Sequence, residues 1–138
     1  MSAQKPEVLF LCTHNAGRSV AARVLLDHYA RGRITVRSAG TDPGTDLNPS
    51  VVTILAERGL DATKEYPKPL TIDLAESADV VVTMGCGDTC PDHPGKRYVD
   101  WDLRDPAGLS VDEVEPIVDD IDARVQALIE ELLGTEQC

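Results

Sequence analysis

The stretch Glu7-Val8-Leu9-Phe10-Leu11-Cys12-Thr13-His14-Asn15-Ala16-Gly17-Arg18-Ser19 decides the fold. Glu7–Cys12 is a near-continuous apolar run of strand length, the pattern of a parallel strand covered on both faces. It stops at Thr13-His14-Asn15-Ala16-Gly17, which is small and polar. From Arg18 to Tyr29, Val20, Ala21, Val24, Leu25 and Tyr29 recur at helical spacing. A strand, a tight loop and a helix in that order make the first half of a βαβ unit.

Working outward, Ile34–Ala39 reads as a second strand closed by Gly40, and Asn48-Pro49 as a helix start, an N-cap followed by proline at the first helical position. That helix carries Val51, Val52, Ile54 and Leu55 and should end near Gly59. Tyr66–Leu70, with Pro67 and Pro69, is a stiff connection; Thr71–Ser77 is expected as a short helix, Asp79–Met84 as a third buried strand and Lys96–Trp101 as a fourth. Gly85–Gly95 holds three glycines, two prolines and two cysteines and reads as a loop, or a loop with one helical turn. Val114, Ile117, Val118, Ile121, Val125, Leu128, Ile129 and Leu132 mark a final amphipathic helix. Ser110 and Glu113 form a capping box ahead of it, and Pro116 is expected to break or restart it. Alternating strands and helices point to an α/β fold over residues 1–138 as a single domain, with a parallel sheet flanked by helices.

The chain has 138 residues, 42% of them hydrophobic and 27% charged, with a formal net charge of −11. That size supports a real core. The acidic balance argues against nucleic acid, whose phosphates demand excess Lys and Arg. No apolar run is long enough to span a bilayer, and residues 1–6 lack a hydrophobic stretch of signal-peptide length, so a cytoplasmic location is expected; a monomer is expected as well. The overall field also repels small anions, so any anion site must come from local backbone dipoles and a few cations. Four cysteines, Cys12, Cys86, Cys90 and Cys138, read in a reducing compartment as redox groups, metal ligands or buried fillers.

Cys12 at a strand end and Arg18 at a helix start suit an anion-binding nucleophile. A loop of residues 12–19 turns successive N–H groups inward, and the helix N-terminus adds its positive end. Arg18 can hold two oxygens of a tetrahedral oxyanion, which lysine cannot. The same field favours the Cys12 thiolate, and Ser19 is placed to donate a hydrogen bond to it. The alternative is a buried strand-end cysteine followed by a surface loop; the flanking strand and helix favour the nucleophile. Thr13, His14, Asn15, Ala16, Gly17, Arg18 and Ser19 together form the expected substrate cradle. Within it, His14 reads as a solvent-facing residue rather than a metal ligand or base, and Asn15 as a brace through side-chain to backbone bonds.

The segments VLFLCTHNAGRS at Val8–Ser19, SAGT at Ser38–Thr41, DVVVTM at Asp79–Met84 and DPAG at Asp105–Gly108 resemble the low-molecular-weight tyrosine phosphatase superfamily and, within it, the thiol-coupled arsenate reductases. The resemblance spans nearly the whole chain and implies a four-stranded parallel sheet. It implies that Asp105 serves as general acid to the leaving oxygen, where an ordinary Asp-Pro turn is the plainer alternative. In the phosphatases tyrosines typically follow that Asp-Pro pair; here Ala107-Gly108 follow. Only Phe10, Tyr29, Tyr66, Tyr98 and Trp101 are aromatic, so a small inorganic oxyanion such as arsenate is a better fit than an aryl ester.

Reduction of arsenate needs two electrons, which two thiols supply on becoming a disulfide. The third strand ends on the same sheet edge as the Cys12 loop, and Cys86 and Cys90 follow it. Residues four apart on a helical turn lie about 6 Å apart, inside disulfide range. The resemblance implies a relay in which Cys86 resolves the bond to Cys12 and passes it to Cys90, for an external reductant, thioredoxin. Their spacing departs from the better-known members and resembles an actinobacterial type, so a mycothiol route with mycoredoxin, using Cys12 without an obligatory relay, stands beside it. A hydrolytic phosphatase is the other alternative. Cys86, Cys90 and His93 as a zinc site, or an inert buried pair, compete with the relay; Cys138 reads as a terminal thiol without a role. No bound cofactor or metal is expected. Some relatives link potassium to a glutamate eleven residues past the nucleophile; Arg23 stands there, so no such site is expected.

Overall fold

The computed structural model describes residues 6–84 and 97–133. The expected loop with Cys86, Cys90 and His93, and the terminal Cys138, lie outside the described residues. Along the chain run β1 (Glu7–Cys12), α1 (Arg18–Ala30), β2 (Thr35–Gly40), α2 (Pro49–Glu57), α3 (Ile72–Ser77), β3 (Val80–Met84), β4 (Arg97–Asp100) and α4 (Val111–Leu133). Each expected element is present, with ends moved by a few residues at most. The four strands form one parallel sheet in the order β2-β1-β3-β4.

Strand alternation divides the core. Val8, Phe10 and Cys12 face α1, α2 and α4 with Val36, Val80, Val82 and Met84, while Leu9, Leu11, Ala39 and Val81 face the other way, toward Leu70, Leu74 and Tyr98. Both faces of β1 are thus covered, which accounts for its unbroken apolar sequence. Trp101 closes the larger cluster with its ring 5.6 Å from that of Phe10.

The order of strands reverses around β1: β2 lies on one side, β3 on the other. In open α/β sheets, side chains and loops at the carboxyl ends of strands beside such a reversal are free to surround a ligand. Cys12, the last residue of β1, is there, paired with Gly40 of β2 and Met84 of β3.

The local signals behave as chemistry dictates. Asn48 caps α2 by accepting a bond from the Val51 N–H at 3.1 Å, with Pro49 opening the helix. Thr71 caps α3 in the same way through Leu74. Ser110 and Glu113 make the reciprocal box: the Glu113 N–H donates to Ser110 Oγ at 3.3 Å and the Ser110 N–H to Glu113 Oε1 at 3.1 Å. Pro116 corrects an expectation, because α4 runs through it unbroken. Its ring removes one bond, to the carbonyl of Asp112 in the first turn, and that residue is exposed to water. Val114, Ile117, Val118 and Ile121, all buried, hold the helix in line on either side.

The capping box has a pH signature. The bonds from the Ser110 backbone and then its hydroxyl hold the Glu113 carboxyl below its ordinary value. A lowered carboxyl stabilises the fold above its unfolded value of 4.5, and that contribution disappears as pH falls through the lower folded value. Ser110→Ala is expected to cost about 1 kcal/mol, or roughly 3 °C in thermal midpoint. The deficit should be full at pH 7 and should narrow in melts as pH falls from 4.5 through the lowered folded value of Glu113.

Candidate functional site

The loop between β1 and α1 is fixed by its carbonyls. Those of Cys12, Thr13, His14 and Ala16 accept bonds from the N–H groups of Thr41 (3.2 Å), Asp42 (2.8 Å), Gly44 (3.0 Å) and Asn48 (2.8 Å). Every described peptide bond is trans, and in a trans peptide the carbonyl and the following N–H point to opposite sides. With the carbonyls drawn outward to the 41–48 segment, the N–H groups of Thr13, His14, Asn15 and Gly17 turn toward the hollow of the loop. The first turn of α1 carries no acidic residue, and Gly17 offers no capping side chain. The positive end of α1 is therefore left for an anion.

Asn15 sits at φ 51°, in the left-handed region that asparagine tolerates better than most residues. It is completely buried, and its Oδ1 accepts the Lys68 N–H at 2.8 Å while its Nδ2 donates to Ser19 Oγ at 2.7 Å. Ser19 Oγ lies 3.0 Å from Cys12 Sγ. A hydroxyl that already accepts from Asn15 has its own proton to give, so against a thiolate Ser19 is the donor. The brace expected of Asn15 is thus extended by one link, to the sulfur.

Arg18 opens α1 and is 7% exposed. Its Nη1 donates to the Leu103 carbonyl at 3.4 Å, and its Nη2 stands 3.8 Å from Asp105 Oδ2. The guanidinium is thus held at the start of α1 against the 103–105 segment. Asp105 is half exposed and closes a turn by accepting the Ala107 N–H at 3.0 Å. The turn given as the plainer alternative is present, and it sets the Asp105 carboxylate beside Arg18. His14 is exposed, with Nδ1 2.9 Å from the Asp42 carbonyl. Arg23 pairs with Glu65 at 3.1 Å.

Asn48, read from sequence only as a helix cap, ties three segments together. Besides capping α2 and donating its N–H to Ala16, it donates from Nδ2 to the Pro106 carbonyl at 3.2 Å. Gly40 is likewise more than a strand end. A Cβ there would stand 2.7 Å from the Thr13 carbonyl oxygen and 3.0 Å from the Asn15 nitrogen. At Gly17 a Cβ would meet Pro106 Cγ at 2.8 Å. The glycine of SAGT was the available signal for the first. Gly40→Ala is expected to push the loop off its donors, lowering kcat/KM between about tenfold and a hundredfold, with roughly 1–3 kcal/mol of stability lost to overpacking. Steady-state kinetics and a thermal melt on one preparation check both.

Cys12, Arg18, Ser19 and Asp105 thus converge at the β1 carboxyl end. Cys86 and Cys90 are outside the described residues; Met84, two residues before Cys86, is the cross-strand neighbour of Cys12. Among the described residues no helix is long and apolar enough to cross a membrane.

Residues 7–137 match the model of the low molecular weight phosphotyrosine protein phosphatase family. A solved thioredoxin-dependent arsenate reductase from Corynebacterium glutamicum is 43% identical and superposes with a TM-score of 0.82 over 97% of this chain and 64% of that one. The chain therefore spans under two thirds of that relative. An arsenate reductase from Archaeoglobus fulgidus is 32% identical, with a TM-score of 0.75 over 88% of this chain and 98% of that one. Arsenate reductase 1 of Bacillus cereus is 32% identical over 91% of this chain and 96% of its own length.

Proposed function

The chain belongs to the low molecular weight phosphotyrosine protein phosphatase family, and from that premise we propose that it is an arsenate reductase in which Cys12 is the nucleophile. The observation that carries the reading is the bonded series Asn15–Ser19–Cys12 beneath a loop whose outward-bonded carbonyls turn its N–H groups inward beside the buried Arg18, an arrangement that suits a small oxyanion. The aromatic residues support a small substrate. Phe10 and Trp101 pack together in the core, Tyr98 packs on the opposite sheet face, and Tyr29 donates to Asp122 of α4. Ala107 and Gly108, not aromatics, follow Asp105-Pro106.

In the proposed reaction the Cys12 thiolate attacks arsenic(V), and one arsenate oxygen leaves as water with a proton from Asp105. Loop N–H groups and Arg18 carry the charge on the remaining oxygens. The Cys86 thiolate then attacks the Cys12 sulfur. An S–S bond forms, the S–As bonding pair stays on arsenic, and arsenite departs as arsenic(III). Cys90 attacks Cys86, returning Cys12 as thiolate and leaving a Cys86–Cys90 disulfide for thioredoxin to reduce. Support for the relay comes from the Cys12–Met84 pairing just ahead of Cys86 and from the thioredoxin dependence of the Corynebacterium relative. In the mycothiol route an external thiol and mycoredoxin replace both resolving cysteines. We place the whole chain in one cytoplasmic domain acting as a monomer.

The test is arsenite formation by the purified chain with arsenate and NADPH, coupled to thioredoxin and its reductase or to mycothiol and mycoredoxin. Arsenite from neither system overturns the reading. Brisk hydrolysis of p-nitrophenyl phosphate alongside that failure favours the phosphatase activity in the family's name. Mass spectrometry after one turnover without reductant separates the routes: a Cys86–Cys90 disulfide marks the relay, and intact thiols there exclude it.

A further inference from the structure

Behind the Cys12 loop, at the β2 edge of the sheet, lies a cavity of about 260 Å³ that the chemistry above does not use. Its wall carries four cationic side chains, Arg23, Arg37, Lys64 and Lys68, against a single carboxylate, Glu65. In a chain with a net charge of −11 this is a strong local reversal of sign. Two of the cations are already paired at 3.1 Å, Arg23 with Glu65 inside the wall and Arg37 with Glu7 outside it, which leaves Lys64 and Lys68 as the charges facing the hollow.

An independent observation comes from Ser38, which lines the same cavity. It is completely buried, and its Oγ is the one buried side-chain nitrogen or oxygen among the described residues without a hydrogen-bond partner. Buried hydroxyls are rarely left unpaired, because the lost water bonds are not replaced. Lys68 shows a related imbalance. Its Nζ donates to the Tyr66 carbonyl at 2.9 Å and lies 4.7 Å above the Tyr66 ring, yet burial still pushes its pKa down. The cavity is thus lined by a half-buried ammonium and an unmatched buried hydroxyl, with further positive charge around them. A metal cation would be repelled there; an anion would relieve both groups.

We propose that this cavity is a second oxyanion site, separate from the Cys12 loop, that takes a small tetrahedral anion of the phosphate and sulfate class on Lys68, Lys64 and Ser38. The volume lies below the usual range for organic ligands, which favours a small inorganic ion. The site connects directly to the nucleophile. Lys68 donates its backbone N–H to Asn15, Asn15 donates to Ser19, and Ser19 touches the Cys12 sulfur. An anion on the Lys68 side chain therefore bears on the residue that braces the catalytic loop. The proposal does not depend on what reaction Cys12 performs.

The test is titration of the full chain with inorganic phosphate, followed through backbone amide resonances at ionic strength matched with chloride. Two saturating sets of shifts are expected, one in residues 13–18 and one in Ser38 and residues 64–68, with different dissociation constants. In Lys64→Met/Lys68→Met, which keeps the residue-68 backbone N–H on Asn15, the second set should require at least about tenfold more phosphate, while the first set still saturates. In Arg18→Met the second set should persist with its own constant. Should the double variant fold poorly, Ser38→Ala, which only removes the unpaired hydroxyl, should still weaken the second set alone. Cavity resonances that stay still in the parent, that follow the loop's constant and vanish in Arg18→Met, or that titrate unchanged in both cavity variants overturn the proposal.

Discussion

Cys12→Ser is expected to lower kcat/KM for arsenate, and for p-nitrophenyl phosphate alike, by on the order of 10⁴-fold or more. A serine hydroxyl at this position holds its proton near neutral pH and is a poor nucleophile, and the residue next to it is no general base. Ser19 donates to the sulfur and accepts from Asn15, so it has no role in taking a proton away. The same geometry predicts what should survive. Cys12 is 2% exposed, and serine fills nearly the same space with a hydroxyl that Ser19 can still bond. The loop carbonyls remain bonded to Thr41, Asp42, Gly44 and Asn48, so the inward N–H groups keep their directions. Phosphate should therefore bind the variant about as well as the parent, and the thermal midpoint should move by no more than about 3 °C. Lost turnover with retained phosphate binding, measured by kinetics and calorimetry on one preparation, identifies Cys12 as the attacking atom. Retained turnover would sink every route in which Cys12 attacks.

How much of this could be seen in the chain follows from the kind of force involved. The apolar run of Glu7–Cys12, the Asn48-Pro49 helix start and the Ser110–Glu113 box are local, and local chemistry writes itself into residue identity. The cradle is legible for the same reason: Cys12, Arg18 and Ser19 lie within eight positions of one another. What holds the cradle open is not legible, because it uses backbone N–H groups of Thr41, Asp42 and Gly44, and nearly every residue has one. The Lys68 N–H on Asn15 is hidden likewise, since nothing in the lysine side chain announces it. Gly40 is half legible: SAGT marks its place, but the need for a bare Cα arises from the Thr13 carbonyl packed against it. Pro116 misled because propensity treats a lost bond as a break, whereas buried residues on both sides carry α4 across it. The cavity at β2 combines residues from β2, α1 and the 64–74 segment, so only the folded chain brings its charges together.

Arg18→Lys tests the other half of the site, and the expected loss in kcat/KM is between about 10²- and 10³-fold, the scale seen when one oxyanion donor is removed. Charge is conserved, so a purely electrostatic role would leave most of the activity. Geometry is not conserved. Arg18 donates from Nη1 to the Leu103 carbonyl and stands with Nη2 3.8 Å from Asp105, and a planar guanidinium has five N–H groups, enough to keep Leu103 and still offer a pair to two substrate oxygens. A lysine ammonium on a shorter reach cannot keep Leu103 and still face two oxygens. Either it stays with the 103–105 segment and abandons the substrate, or it follows the substrate and leaves the Leu103 carbonyl without its bond. In the proposed reaction both outcomes would act on the transition state more than on ground-state affinity, because negative charge would gather on the arsenate oxygens during attack by Cys12. The loss should therefore fall mainly on kcat, with KM rising less, and the melting point should stay close to the parent's because Arg18 also makes its helix bonds through its backbone. A loss confined to KM would mean that Arg18 only captures the anion. Arg18→Met, with similar bulk and no charge, should cost more than the lysine variant in both parameters; equal losses in the two variants would show that the fork, not the charge, supplies nearly all of the effect.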